Sequence, residues 1–282
     1  MQKVIQDLKD PRYFQILFLG SFLSYGLLFL GWKVDYLQYV AVISTSVVTQ
    51  IAFSLWKGKP LHSIKSALIT SLGLSMLLKA SSPWYFVLAG FIAIASKFLF
   101  VYKGKHLFNP ANIGIVACLL LTDKVWVSPG QWGSDMVLVF FMGMAGITVL
   151  LRIGRIETSL AFLGALFLFQ YLRVVAYQGW DFPVLMHKFS SGTLLLFAFF
   201  MITDPMTIPN HRRARIPWAI LVAAIAFILS SKYFVYTAAI WALFAVTPIT
   251  VLIDHFYKAK KFEWLPLPGF KTSAIQKANT SI

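Results

Sequence analysis

Residues Lys103 to Leu121 read KGKHLFNPANIGIVACLLL, and the fold turns on how this run is interpreted. A basic stretch ends at Phe108-Asn109-Pro110-Ala111-Asn112, and no charge follows until Asp123. Pro110 suits the first turn of a helix, where its missing N–H would have no intrahelical partner. Asn109 then serves as N-cap, its side-chain oxygen accepting from the free amides of that turn. The apolar part, Ile113 to Leu121, is too short to cross roughly 30 Å of hydrocarbon by itself. Two readings stay open: a short capped helix that offers polar backbone to a ligand at membrane depth, or an ordinary cap on a longer spanning helix.

Composition sets the environment. The chain has 282 residues, 59% of them hydrophobic and 12% charged, against about 25% charged in soluble domains. It is a multi-span membrane protein. Its one cysteine, Cys118, lies in an apolar run, which excludes a disulfide framework or a cysteine metal site. The charged stretch Met1 to Arg12 carries no pattern of a cleavable signal peptide.

Apolar segments fall at about 13–31, 36–56, 64–79, 83–101, 109–122, 135–151, 158–175, 188–203, 216–231 and 234–256. Alternating the connections puts 19 of the 25 Lys and Arg residues on one side and six on the other. The basic side is cytoplasmic by the positive-inside rule, so both termini are expected there. The net charge of +15 is thereby assigned to topology and anionic lipid of the bilayer, with no need of nucleic acid. The expected layout is an all-α integral membrane protein. A cytoplasmic N-terminus (1–12) precedes one membrane domain (13–257), and a cytoplasmic tail follows (258–282).

Ten segments divide into five and five, about 13–122 and 135–257, and an odd half places the second repeat upside down. Segment three (Ser66 to Gly73) and segment eight (Ser190 to Leu194) are both short and rich in small hydroxyl residues. Short segments at matching positions point to a site between inverted repeats. The competing reading is that small residues simply let helices pack closely. Trp126 and Trp132, in the loop after segment five, suit an interfacial aromatic belt.

A second constellation ends segment eight: Thr203-Asp204-Pro205, followed by Arg212, Arg213 and Arg215. Asp204 is either a ligand-facing acid, the default for carboxylates at the membrane edge, or an ion-pair partner of those arginines. Glu157 sits at a helix start and is read as structural. Lys97 is expected to snorkel to the headgroups. The five histidines, including His62, are scattered at helix ends, where capping is the default. No Gly-x-Ser-x-Gly elbow, phosphate-cradling loop or His-Glu-x-x-His helix is present, which leaves a hydrolase or transferase without support.

The runs FNPANIG and SSGTLLLFAFFMITDPMT, in this order and on these helix ends, resemble one family over roughly Arg12 to Lys258. It contains the D subunit of Rnf electron-transport complexes and the B subunit of the sodium-pumping NADH:quinone oxidoreductase. The loop WVSPGQWG (Trp126 to Gly133) looks more like a stand-alone branch that includes membrane proteins of enediyne clusters. The resemblance implies a flavin-linked electron-transfer subunit of the bacterial inner membrane. It would work with other redox subunits or a soluble electron donor and be coupled to sodium or proton movement. By the family pattern, Phe108, Asn109, Pro110 and Asn112 mark one half-helix of a cofactor site, and Thr203, Asp204 and Pro205 its mate. Complex-bound members anchor FMN covalently to a threonine in a long outer loop after the FNPA helix. Here Asp123 to Asp135 is short and holds no threonine. The nearest imitation, Ser191-Gly192-Thr193, lacks the motif's alanine, so Thr193 is read as a helix-start residue over a flavin anchor. The expectation is a noncovalent flavin, riboflavin or FMN. The alternative is a cofactor-free permease or channel for a small solute or ion, which inverted repeats and few buried charges also suit.

Overall fold

A computed structural model describes residues 10–29, 36–58, 63–128 and 136–264. His62, Trp132 and most of the two terminal segments lie outside these. The described chain is helical almost throughout. In the first half, α1 (Pro11–Leu28), α2 (Tyr36–Trp56), α3 (Ile64–Leu77), α4 (Pro83–Leu99) and α5 (Pro110–Leu121) follow one another. The second half holds α6 (Met136–Ile153), α7 (Ile156–Tyr171), α8 (Phe182–Phe189), α9 (Gly192–Leu196), α10 (Arg212–Ser231), α11 (Ala238–Val246) and α12 (Ile249–Phe256). Wide π-helical turns extend α7 through Leu172–Tyr177 and α9 through Phe197–Met201. Two short antiparallel ladders join connections: β1 (Leu78–Ala80) with β4 (Val125–Val127), and β2 (Val101–Tyr102) with β3 (Lys105–His106).

Among the described residues, α2, α7 with its π turn, and α10 are long and apolar enough to cross a bilayer. The pairs α8–α9 and α11–α12 would each add one span, bent by 55° and 47°. The protein is an all-α membrane protein. The apolar run 188–203 contains a break that hydropathy did not separate: α8 ends at Phe189 and α9 begins at Gly192. The run 234–256 is likewise two helices, because Pro248 follows Thr247 and cannot supply an amide to the preceding turn.

The molecule is apolar outside and partly polar inside. Leu28, Val40, Leu55, Leu121, Leu151 and Leu160 are exposed on its surface, whereas Ser46, Gln50, Ser71, Ser75, Thr158 and Ser159 are buried between helices. This suits a hydrocarbon solvent, in which close packing of small residues and interhelical hydrogen bonds hold helices together. Gly114 of α5 shows how close the approach is. A Cβ there would lie 2.8 Å from the Ala89 carbonyl oxygen of α4. Packing repeats between the halves: α2 packs extensively on α4 and α7 on α10, while α4 packs on α5 and α10 on α11. The short helices α5 and α11 then touch each other.

Candidate functional site

The site begins with a cap. Asn109 has extended backbone (φ −65°, ψ 128°) and its Oδ1 accepts from the Asn112 amide at 3.1 Å, with Pro110 in the first turn of α5. That leaves the Asn109 Nδ2 facing α9, where it donates to the Met201 carbonyl and to Asp204 Oδ2, each at 3.3 Å. The second motif is shaped by the π turn. Widening lets the Ile202 amide reach the Phe197 carbonyl at 2.9 Å, and such turns often accompany functional sites. The chain then folds over itself, with Asp204 Oδ1 accepting from the Met206 amide at 3.0 Å. A backbone bond from the His106 amide to the Met206 carbonyl (3.2 Å) ties the loop before α5 to this turn.

Between the two motifs lies a cavity of about 300 Å³. Asn109, Pro110, Asp204 and Pro205 line it, with Gln50, Ser66, Thr70 and Lys97 among the other polar groups and Leu19, Ile69, Phe98 and Phe200 among the apolar ones. Arg12 and Trp264 also line it, the guanidinium lying 5.0 Å from the indole centroid. Burial pushes the Asp204 carboxyl above its ordinary value, against the Met206 amide, Lys97, Lys105 and Asn109, which favour the charged form. No arginine pairs with Asp204 among the described residues. Arg215 instead forms an ion pair with Glu157, 2.6 Å apart, and donates to the Gly154 carbonyl at 3.1 Å.

The remaining sequence candidates have other places. Phe108 stacks on Phe244 of α11, centroids 4.8 Å apart, and meets Phe100 edge-on. Asn112 is fully buried and donates to the Ile240 carbonyl of α11 at 2.9 Å. The Thr203 hydroxyl bonds back to the Phe199 carbonyl at 2.7 Å. These three build the wall and do not line the cavity. Thr193 lines a second cavity of about 630 Å³, together with Gln170, Arg173, Lys188, Ser191, Trp180 and Phe234. Its hydroxyl donates to the Ser128 carbonyl at 2.7 Å.

Lys97 corrects the sequence reading. It does not snorkel: only 6% of it is exposed, and its amine donates to Gln50 Oε1 at 2.9 Å and to Ser66 Oγ at 3.1 Å. The sequence marks Ser66 only as part of the hydroxyl-rich segment three, and it does not single out Gln50. The sole hint is a glutamine in the middle of an apolar segment, which needs a partner inside a bundle.

The two cavities share Leu77 and no other lining residue. The first takes Ser63 and Gly104 from connections rich in Lys and Arg, with Lys97 from the last turn of α4, and the second takes Val127, Gln178, Trp180 and Phe234 from other connections. Helix α3 gives its early turns to the first cavity and its last residue to the second. The segment from Ser191 to Met201 runs the other way, from the second cavity toward the first.

The model of the NQR2, RnfD, RnfE family matches residues 6–127 and 119–263. The chain belongs to that family. Among its relatives, the D subunit of a proton-translocating ferredoxin:NAD(+) oxidoreductase complex from Clostridium ljungdahlii is 28% identical. That match covers 78% of this chain and 81% of the relative. The D subunits of ion-translocating oxidoreductase complexes from Stutzerimonas stutzeri and Halorhodospira halophila are each 25% identical, over 85% of this chain and 87% of theirs. Members of the NQR2, RnfD, RnfE family thus align with this chain across both of its halves.

Proposed function

We propose that this protein is a membrane-embedded electron-transfer subunit of an ion-translocating oxidoreductase assembly. It holds a flavin, riboflavin or FMN, noncovalently in the cavity between α5 and α9. The observation that carries the reading is convergence: two motifs some 90 residues apart meet at one cavity through the Asn109–Asp204 contact. Relatives named as subunits of ion-translocating complexes support redox partners and a place in the bacterial inner membrane. The opposed directions of α3 and of the Ser191–Met201 segment support ten spans in two inverted five-span repeats. The Lys and Arg census supports cytoplasmic termini.

The donor set suits a flavin. Asn109, Lys97 and Asp204 place donors and an acceptor on a wall whose other faces are apolar, as a planar ring with one polar edge requires. The volume lies at the low end of ligand sites, about 300–1,000 Å³. A bound flavin would supply the electron chemistry. The chain's own work is to orient it: Asn109 and Asp204 would meet its polar edge, while Leu19, Phe98 and Phe200 exclude water. The outer-loop threonine of covalent members has no counterpart here, and the Thr193 hydroxyl is engaged with Ser128.

The second reading, a permease or channel for a small solute or ion, is favoured by one observation: two cavities reach toward Leu77 from different connections. Detergent-purified protein separates the two. Flavin absorbance that acid precipitation releases into the supernatant supports the first reading. Colour in the pellet would return Thr193 as an anchor. A colourless, folded preparation that fails to take up added riboflavin or FMN overturns the flavin reading in favour of transport.

A further inference from the structure

The second cavity has a chemistry that the flavin reading leaves unused. Gln170 of α7 lines it and is only 8% exposed, yet its buried Oε1 accepts no hydrogen bond among the described residues. A buried acceptor left open calls for a donor from elsewhere. Arg173 and Lys188 line the same cavity, near enough for their charges to repel. Among the described residues no carboxylate lines the cavity or pairs with either cation. Arg173, in the π turn after α7, has a second aspect. It lines an open groove whose other walls include Phe169, Leu172 and Phe227. Trp180, Phe234 and Tyr236 of the cavity and Tyr177 of the groove are exposed, as aromatic side chains are at a membrane interface.

We propose that the second cavity and this groove together hold one anionic phospholipid with a polyol headgroup, of the phosphatidylglycerol class. Its phosphodiester sits on Arg173 and Lys188, where a guanidinium fork and an ammonium form charge-assisted hydrogen bonds to phosphate oxygens. A headgroup hydroxyl donates to Gln170 Oε1, and an acyl chain lies along Phe169, Leu172 and Phe227. Basic pockets between membrane helices take lipid headgroups in this way. A soluble phosphate ester would meet the two cations and leave the groove bare. A zwitterionic lipid would fill the groove but bring its own ammonium to a wall that already holds two cations. The proposal is independent of what the first cavity binds.

The test uses the full chain, delipidated in detergent, with lipid added back and bound lipid counted by native mass spectrometry. Wild-type protein should bind a single phosphatidylglycerol, about tenfold or more tighter than phosphatidylethanolamine, the scale of hydrogen bonds to charged groups. Arg173→Gln combined with Lys188→Gln should abolish that preference. Lys232 ends α10 and does not line the cavity, so Lys232→Gln should change affinity by no more than about twofold, as an exposed charge does. Gln170→Leu should weaken phosphatidylglycerol and spare phosphatidic acid, which has no headgroup polyol. Wild-type protein that binds the two lipids equally overturns the proposal without any variant. So does a folded double variant that keeps the preference, or Lys232→Gln that loses as much. Glycerol phosphate that binds as tightly as the whole lipid would assign the cavity to a soluble ester and overturn the lipid.

Discussion

At the scale of single residues, polar groups decide both the site and the entry to the bundle. Asp204 is fixed from two sides, by the Met206 amide and by Asn109. Asp204→Asn should therefore lower riboflavin affinity about tenfold, a change of about 1.4 kcal/mol, with an unchanged gel-filtration profile; quenching titration reads it. Asp10 is a separate case. Burial opposes its ionisation, but hydrogen bonds from the Arg12 side chain and amide and from Lys65 outweigh burial and hold its carboxyl below the ordinary value. A depressed carboxyl contributes stability that is present above its unfolded pKa, about 3.9, and is lost as pH falls through the folded one. The melting temperature should drop on acidification below about pH 4, and Asp10→Asn should remove that part of the drop. The Asn109 cap was legible in the sequence because capping is local, a matter of the four consecutive residues from Asn109 to Asn112. Lys97 was not. Whether a lysine near a helix end reaches water or turns inward depends on Gln50 and Ser66, which belong to other helices.

At the scale of elements, close approach is the recurrent device. Gly114 lets α5 lie against the Ala89 carbonyl of α4. Gly114→Val should push the helices apart at a cost of about 1–3 kcal/mol, seen as a lower melting temperature and reduced riboflavin uptake. Gly164 is exposed, and a Cβ there meets nothing within 4 Å. Gly164→Ala should be neutral or stabilising by up to about 1 kcal/mol, which makes it the matched control for thermal unfolding. Hydropathy located the apolar stretches because hydrocarbon selects for them directly. It could not show that 188–203 is interrupted at Ser190-Ser191, since two serines read equally well as a small-residue packing face. Nor could it find α8, whose eight residues include His187 and Lys188 and resemble a loop.

At the scale of the whole molecule, the two cavities and the helices between them form one arrangement. The first takes Lys97 and Asp204 from near the basic connections, the second Arg173 and Lys188 from the others, and Leu77 stands between. That arrangement has an electrical consequence. Were the two cavities open to opposite sides of a bilayer and both filled with water, the voltage would fall mainly across the layer that Leu77 occupies. The full hydrocarbon thickness would no longer set the field. A charge passing between the cavities would then cross most of the potential in one short step, worth about 2.3 kcal/mol per 100 mV. Electron passage along this axis would charge the membrane much as an ion crossing it does.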